Sequence, residues 1–239
     1  MKRIFFLLAA AVAFVGCKKN DVDAPVTPAS GVAKLKTRTA GTNTTNYTYD
    51  AQGRQTKYTN TDGSKVEIDY QPGIIYRKVY NTVSNFLYSY KYELNSDGLA
   101  SRTTLSTNPD YESLTQFNSD KTPAKEIATI NGNTSLIDYF YSNGNCDSLR
   151  FSNGNGNWFS TIVKTYYTDK PNVLTDANTG DNFYGKNNAN MLKTEIYKYS
   201  NGTSNELATY TYEYDGQGRV IKETRTQGND INISLLTYY

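Results

Sequence analysis

Histidine is absent from this 239-residue chain, and it contains two cysteines, two methionines and one tryptophan. Without histidine there is no Ser-His-Asp or Cys-His relay, and zinc and copper lose their commonest ligand. No metal or cofactor site is expected, and no enzyme either, because no nucleophile–base pair can be assembled. An excess of charge is lacking too: 25 lysines and arginines face 23 acids, for a net +2. With no basic run in the body of the chain, nucleic acid finds no electrostatic footing. Helical periodicity is missing throughout, and the one long apolar run lies at the start.

That run begins after Lys2 and Arg3 and covers residues 4–15. A bilayer core about 30 Å thick needs about 20 helical residues to cross, so twelve have the length of a signal-peptide core instead. Phe14-Val15-Gly16-Cys17 follows and resembles the lipobox of bacterial lipoproteins, although Phe14 stands where Leu is usual. The resemblance implies cleavage before Cys17 and acylation of its thiol. Cys146 is then left alone, and no disulfide can form within the mature chain. Residues 18–30 hold Pro25, Pro28, Asp21 and Asp23 with no apolar period and read as a tether. Extended, thirteen residues reach at most roughly 43 Å. The expected organisation is a signal peptide over 1–16, a lipidated cysteine and tether over 17–30, and one domain over 31–239. The expected location is the outer membrane, lipid-anchored on its periplasmic or cell-surface face.

From residue 32 onward the pattern has period two. Val66, Ile68 and Tyr70 alternate with Lys65, Glu67 and Asp69, and Tyr210, Tyr212 and Tyr214 alternate with Thr209, Thr211 and Glu213. Successive strand side chains point to opposite faces, so each run has one aromatic face and one wet face. Asp62-Gly63, Asp97-Gly98, Asn131-Gly132, Asn143-Gly144 and Asn201-Gly202 punctuate the runs, as tight hairpins require. One unit recurs: Tyr47-Thr48-Tyr49-Asp50-Ala51-Gln52-Gly53-Arg54 returns as Tyr212-Glu213-Tyr214-Asp215-Gly216-Gln217-Gly218-Arg219. Two same-face tyrosines anchor a strand, Asp and Gly turn the chain, and Arg opens the return strand.

This unit resembles the YD repeat of Rhs-type and teneurin-type proteins. Together with the lipobox it is also similar to a family of uncharacterised envelope lipoproteins of Bacteroides-like bacteria with a porin-like fold. The resemblance implies no catalytic residues.

The fold class expected is all-β: a long antiparallel meander of about fourteen runs, rolled into a barrel-like or open curved sheet so that its aromatic face is buried against itself. A membrane-spanning barrel is the lesser alternative; Ile231, Ile233, Leu235 and Tyr239 alternate to the last residue, but the other runs are short for spanning strands of about 9–11 residues. Glu67 and Asp69 share a face, but it is the polar one, so they read as solvated. The acidic turns offer too few oxygens for calcium.

The 22 tyrosines serve as core in a sheet poor in Leu and Ile, and they also suit sugar stacking. Trp158, beside a glycine-rich turn, and the pair Phe183 and Tyr184 are the candidate partner contacts. The pair sits in the longest interruption of the meander, 169–190, which is expected to cap one mouth of the rolled sheet. The functional expectation is a non-catalytic envelope lipoprotein that reaches the membrane through its lipid and binds a glycan, lipid or protein partner. A purely structural part of an envelope assembly is the alternative.

Overall fold

The computed structural model describes residues 32–239; the expected signal peptide, Cys17 and the expected tether lie outside the described residues. Sixteen strands follow one another: β1 (Leu35–Ala40), β2 (Asn43–Tyr49), β3 (Gln55–Asn60), β4 (Lys65–Gln71), β5 (Ile74–Tyr80), β6 (Phe86–Leu94), β7 (Ala100–Leu105), β8 (Asn108–Phe117), β9 (Pro123–Ile130), β10 (Asn133–Ser142), β11 (Asn145–Asn153), β12 (Trp158–Pro171), β13 (Asn190–Tyr199), β14 (Ala208–Tyr214), β15 (Val220–Gln227) and β16 (Asp230–Tyr238). Each pairs antiparallel with the next, and β16 pairs with β1, from Ala40 opposite Ser234 to Leu35 opposite Tyr238. The meander is therefore a closed barrel with no free edge. Sixteen strands exceed the fourteen or so expected, and three connections, 81–85, 106–107 and 118–122, carry no glycine signal.

The alternation decides which face turns inward. On β4, Val66 and Ile68 are buried at 5% and 6% exposure while Asp69 between their row and the turn is exposed. Two apolar clusters form inside: Val66, Ile68, Ile75, Tyr92, Ala100 and Phe183, then Leu35, Met191, Val220 and Leu236. The outward face carries ion pairs, among them Lys65 to Glu67 at 2.7 Å, Arg102 to Glu112 at 2.6 Å and Lys222 to Glu213 at 2.7 Å. Threonine pairs such as Thr37 with Thr237 and Thr165 with Thr194 join them. A lipid-facing wall would place these cations in hydrocarbon at about 2–4 kcal/mol each near the midplane. The outward face is mixed: besides these charges it carries the apolar row Ile231, Ile233 and Leu235 on β16 and the exposed Leu114, Phe140 and Ile221.

The repeat now has a packing reason. In both copies the aspartate accepts two backbone N–H groups, Asp50 from Gln52 and Arg54, Asp215 from Gln217 and Arg219. Its second oxygen holds the arginine Nε at 2.7 Å. Each arginine then lies over a tyrosine of a neighbouring strand, Arg54 over Tyr70 at 4.4 Å and Arg219 over Tyr238 at 5.0 Å. Gly53 and Gly218 take φ of +75° and +77°, which the turn requires.

Antiparallel succession sorts the connections into two ends. The turns that follow even-numbered strands, the long segment 172–189 and the entry to β1 lie at one end, here the capped end. The turns that follow odd-numbered strands form the other end, the mouth.

Candidate ligand site in the barrel lumen

A closed barrel of about 8 strands is filled by its own side chains, whereas 16–18 strands leave an aqueous interior. Segment 172–189 fills one end of that space in this barrel. The strands on either side of it run slightly further than the sequence alternation showed, β12 to Pro171 and β13 from Asn190.

The segment crosses the capped end from wall to wall. Asn178 Nδ2 donates to Ala33 O at 2.9 Å, and Lys34 Nζ donates to Ala177 O at 2.8 Å. Further along, Ala100 N donates to Phe183 O at 2.8 Å, Lys186 N to Lys121 O at 2.9 Å, and Ala189 N to Gly144 O at 3.0 Å. These partners lie at the entry to β1, on β7 and in the turns after β8 and β10, so the segment is stitched around most of the circumference. It contains the one helix of the described residues, α1 (Asp176–Thr179), a single turn too short for the period analysis to find. Gly180 ends that turn at φ +80°, and a Cβ there would lie 2.5 Å from the Gln55 amide nitrogen. Only glycine allows this approach.

Phe183 is 2% exposed and packs on Tyr92 with ring centroids 5.2 Å apart. Val173 and Leu174 pack against the second cluster. Tyr184 keeps 39% exposure; its hydroxyl lies 3.2 Å from Tyr92 Oη and accepts from Arg77 Nη1 at 3.3 Å. Of the three aromatic candidates, Phe183 is thus core, Tyr184 stands at the floor of the lumen, and Trp158 stands at the mouth with 43% exposure. The fold does not bring Trp158 and the pair together.

Above this floor the inner wall is polar and partly open to water. Arg77 Nη2 donates to Tyr58 Oη at 2.8 Å. Glu126 accepts from Ser113 Oγ at 2.6 Å and from Tyr139 Oη at 3.3 Å. Arg38 pairs with Glu223 at 2.8 Å and Lys164 with Glu195 at 3.7 Å, and Arg225 Nε donates to Tyr210 Oη at 3.2 Å. A cavity of about 180 Å³ opens between the segment and this wall, lined by Lys164, Tyr166, Leu174, Tyr210, Tyr212 and Glu223. Burial raises the phenols of Tyr92, Tyr139 and Tyr212 well above their ordinary value, so they remain hydroxyl donors at every working pH.

Asp181 and the hydroxyl of Tyr214 are the exceptions to this pairing among the described residues, and Asp181 is the charged one. Its Oδ1 is buried with no hydrogen-bond partner. Burial pushes its carboxyl up to about 6, against the pull of Arg77 and with the help of Asp176. Cys146 is also buried, and burial raises its thiol above the ordinary range, which makes it a poor nucleophile. No group of metal-ligating side chains gathers among the described residues.

The lumen charges are what the sequence reading missed. Arg77 sits between Ile75 and Val79 on the inward phase, and Glu126 shares the phase of Ala128. A charged residue in the buried phase of a strand was the available signal, since such groups are buried only when paired.

The RHS Repeat family model matches residues 34–65, which run from the entry of β1 through the Asp50 turn to the start of β4. No curated protein matches the chain. Among solved structures, a porin-like protein from Bacteroides uniformis is 18% identical with a TM-score of 0.63, covering 90% of this chain and 100% of that one. A porin-like protein from Bacteroides vulgatus is 11% identical with a TM-score of 0.60, covering 87% and 99%. At these identities the likeness speaks for the fold alone. The chain carries an RHS (YD) repeat in a barrel that shares the fold of the Bacteroides porin-like proteins.

Proposed function

We propose that the protein is a non-catalytic lipoprotein of the bacterial envelope whose barrel is a cup for a neutral glycan. The observation that carries this reading is the inner wall. Tyrosine faces offer stacking surface, their hydroxyls donate and accept, and four inward cations meet inward acids or phenols within the wall itself. Charges already satisfied internally give no advantage to an ionic ligand, whereas hydroxyl groups can join such networks at their open positions. The cavity at the floor is smaller than the roughly 300–1,000 Å³ of a pocket for a whole drug-sized ligand, so it receives one ring of a longer chain.

A glycan array probed with residues 18–239, followed by calorimetry on any hit, tests the lumen. Binding should fall about tenfold or more in Tyr139→Phe and Arg77→Met. Retention unchanged by both substitutions, or no retention of any glycan by folded protein, refutes a lumen site.

The anchor rests on Lys2, Arg3, the apolar run and Val15-Gly16-Cys17. Cells fed a labelled fatty acid should label the wild type and not Cys17→Ser; equal labelling of both removes the lipid.

A further inference from the structure

The mouth differs from the wall below it in a way that glycan binding in the lumen does not use. Four consecutive hairpins there carry exposed Ile130, Trp158, Phe159, Tyr199, Leu207 and Ile231. Three of them form one arc: Ser200 N donates to Phe159 O at 3.0 Å, and Gln227 Nε2 donates to Glu206 O at 2.9 Å, which ties the β11–β12, β13–β14 and β15–β16 hairpins in a row. A fifth hairpin, between β5 and β6, adds Val83 at 70%, Phe86 at 52% and Leu87 at 44% exposure. With about half of some 150–250 Å² showing on each aromatic and somewhat less on each aliphatic, the rim presents several hundred Å² of apolar side chain. Isolated surface apolars need no explanation, but a patch of this size at one end of a monomer marks a contact.

Charge is nearly absent from the same rim. The eight connections at the mouth, 41–42, 61–64, 81–85, 106–107, 131–132, 154–157, 200–207 and 228–229, contain Asp62 and Glu206, and the strand ends beside them add only Lys65, Lys198 and Asp230, so the rim's charge is sparse and nearly balanced. The capped end is the reverse, with Arg54, Lys121, Lys186 and Arg219 each paired to an acid.

We propose that the mouth docks on a lipid surface, with the apolar rim seated in the interfacial zone of a bilayer and the lumen opening onto it. The rim has little charge to desolvate, and its tryptophan, tyrosine and phenylalanine suit the lipid–water boundary. Binding of this kind scales with apolar area and does not need anionic lipid. A protein partner is disfavoured because the rim's few charges, Asp62, Glu206 and Asp230 against Lys65 and Lys198, nearly cancel and give no field that would orient one. The chain enters β1 at the capped end, so on the proposed anchor the tether, with a reach of roughly 43 Å, runs along the barrel to the bilayer at the mouth, and the glycan that enters the lumen is one the bilayer carries.

Trp158 is the only tryptophan of the chain, so its emission reports this contact alone. The probe is unlipidated residues 18–239, which contain the whole barrel, mixed with phosphatidylcholine vesicles with and without brominated acyl chains. The expected result is co-sedimentation insensitive to 0.5 M salt, a blue shift of Trp158, and quenching by the brominated lipid. In Phe159→Ser/Leu207→Ser, with the circular dichroism spectrum unchanged, vesicle affinity should fall about tenfold or more. Four outcomes overturn the proposal: no sedimentation, sedimentation only with anionic vesicles at low salt, sedimentation without a change at Trp158, or self-association through the rim in the absence of lipid. None of them bears on glycan binding in the lumen, which the array measures separately.

Discussion

The two ends of the barrel are built from the same turn and come to opposite states. At the mouth, Asn153 Oδ1 accepts the N–H groups of Asn155 and Asn157 at 3.1 and 3.0 Å. At the capped end, Asp215 Oδ1 accepts those of Gln217 and Arg219 at 2.9 and 3.0 Å. The backbone solution is the same, so turn geometry does not explain why one end is shut. What differs is the two Asp–Arg pairs, both at the capped end, where Asn95 also builds an amide turn, and one long connection. Segment 172–189 departs from the hairpin period and takes both apolar clusters with it, through Phe183 in one and Val173 with Leu174 in the other. The repeat makes a wall, and a single break in the repeat makes a floor. Phe183, Val173 and Leu174 add buried apolar packing at the floor, and exposed apolar surface gathers at the rim.

The largest expected effect tests that division. Phe183→Ala removes a nearly fully buried ring wedged against Tyr92 and should cost about 3–5 kcal/mol, the range for large aromatic truncations in a core. Trp158→Ala, a larger truncation at the mouth, should cost within about 0.5 kcal/mol because that ring is 43% exposed and closes no cluster. Urea unfolding of both variants, followed by far-ultraviolet circular dichroism, measures the contrast. Equal losses would mean that the barrel holds itself together around its whole ring and that the segment is an ornament.

The strands were legible in the sequence because one period governs them: a residue at the phase of Tyr70 or Tyr212 goes inward, and its neighbour meets water. Closure was left between a barrel and an open sheet, since nothing in a local pattern says that β16 will find β1, almost 200 residues away. Segment 172–189 was visible as an interruption, and its apolar residues pointed to capping, but the routing of Asn178 to Ala33 and Phe183 to Ala100 depends on contacts no window of sequence contains. Aromatic residues near a loop drew attention to Trp158, Phe183 and Tyr184 together. Burial separates them, because Phe183 is spent on the core and only the other two keep a free face. Arg77 and Glu126 went unnoticed among many surface charges, and only the register of their neighbours turns them inward.

A smaller effect sharpens the comparison through pH. Asp181 lies on the capping segment with Oδ1 buried and unpartnered, and burial, opposed by Arg77 and aided by Asp176, raises its carboxyl to about 6. A carboxyl whose folded value exceeds its unfolded value favours the folded state when protonated. Its contribution is therefore full below the unfolded value near 4 and is lost as pH rises through 6. Two units at about 1.4 kcal/mol each set an upper bound of about 3 kcal/mol. Asp181→Asn keeps the shape and removes the titration. The variant should match the wild type at pH 4 and exceed its stability at pH 8 by about 1–3 kcal/mol. Asp176, also raised by burial, leaves a residual slope of the same sign in both proteins. Urea midpoints at the two pH values give the stability, and limited proteolysis shows where the gain acts. Wild-type protein should be cut within 172–189 more readily at pH 8 than at pH 6, and the variant should lose most of that difference. The mouth, where no comparable orphaned carboxylate sits among the described residues, should be cut at the same rate in both proteins at either pH. If Asp181→Asn leaves the pH dependence of cutting intact, the floor is held by packing alone and its buried carboxylate has no part in opening it.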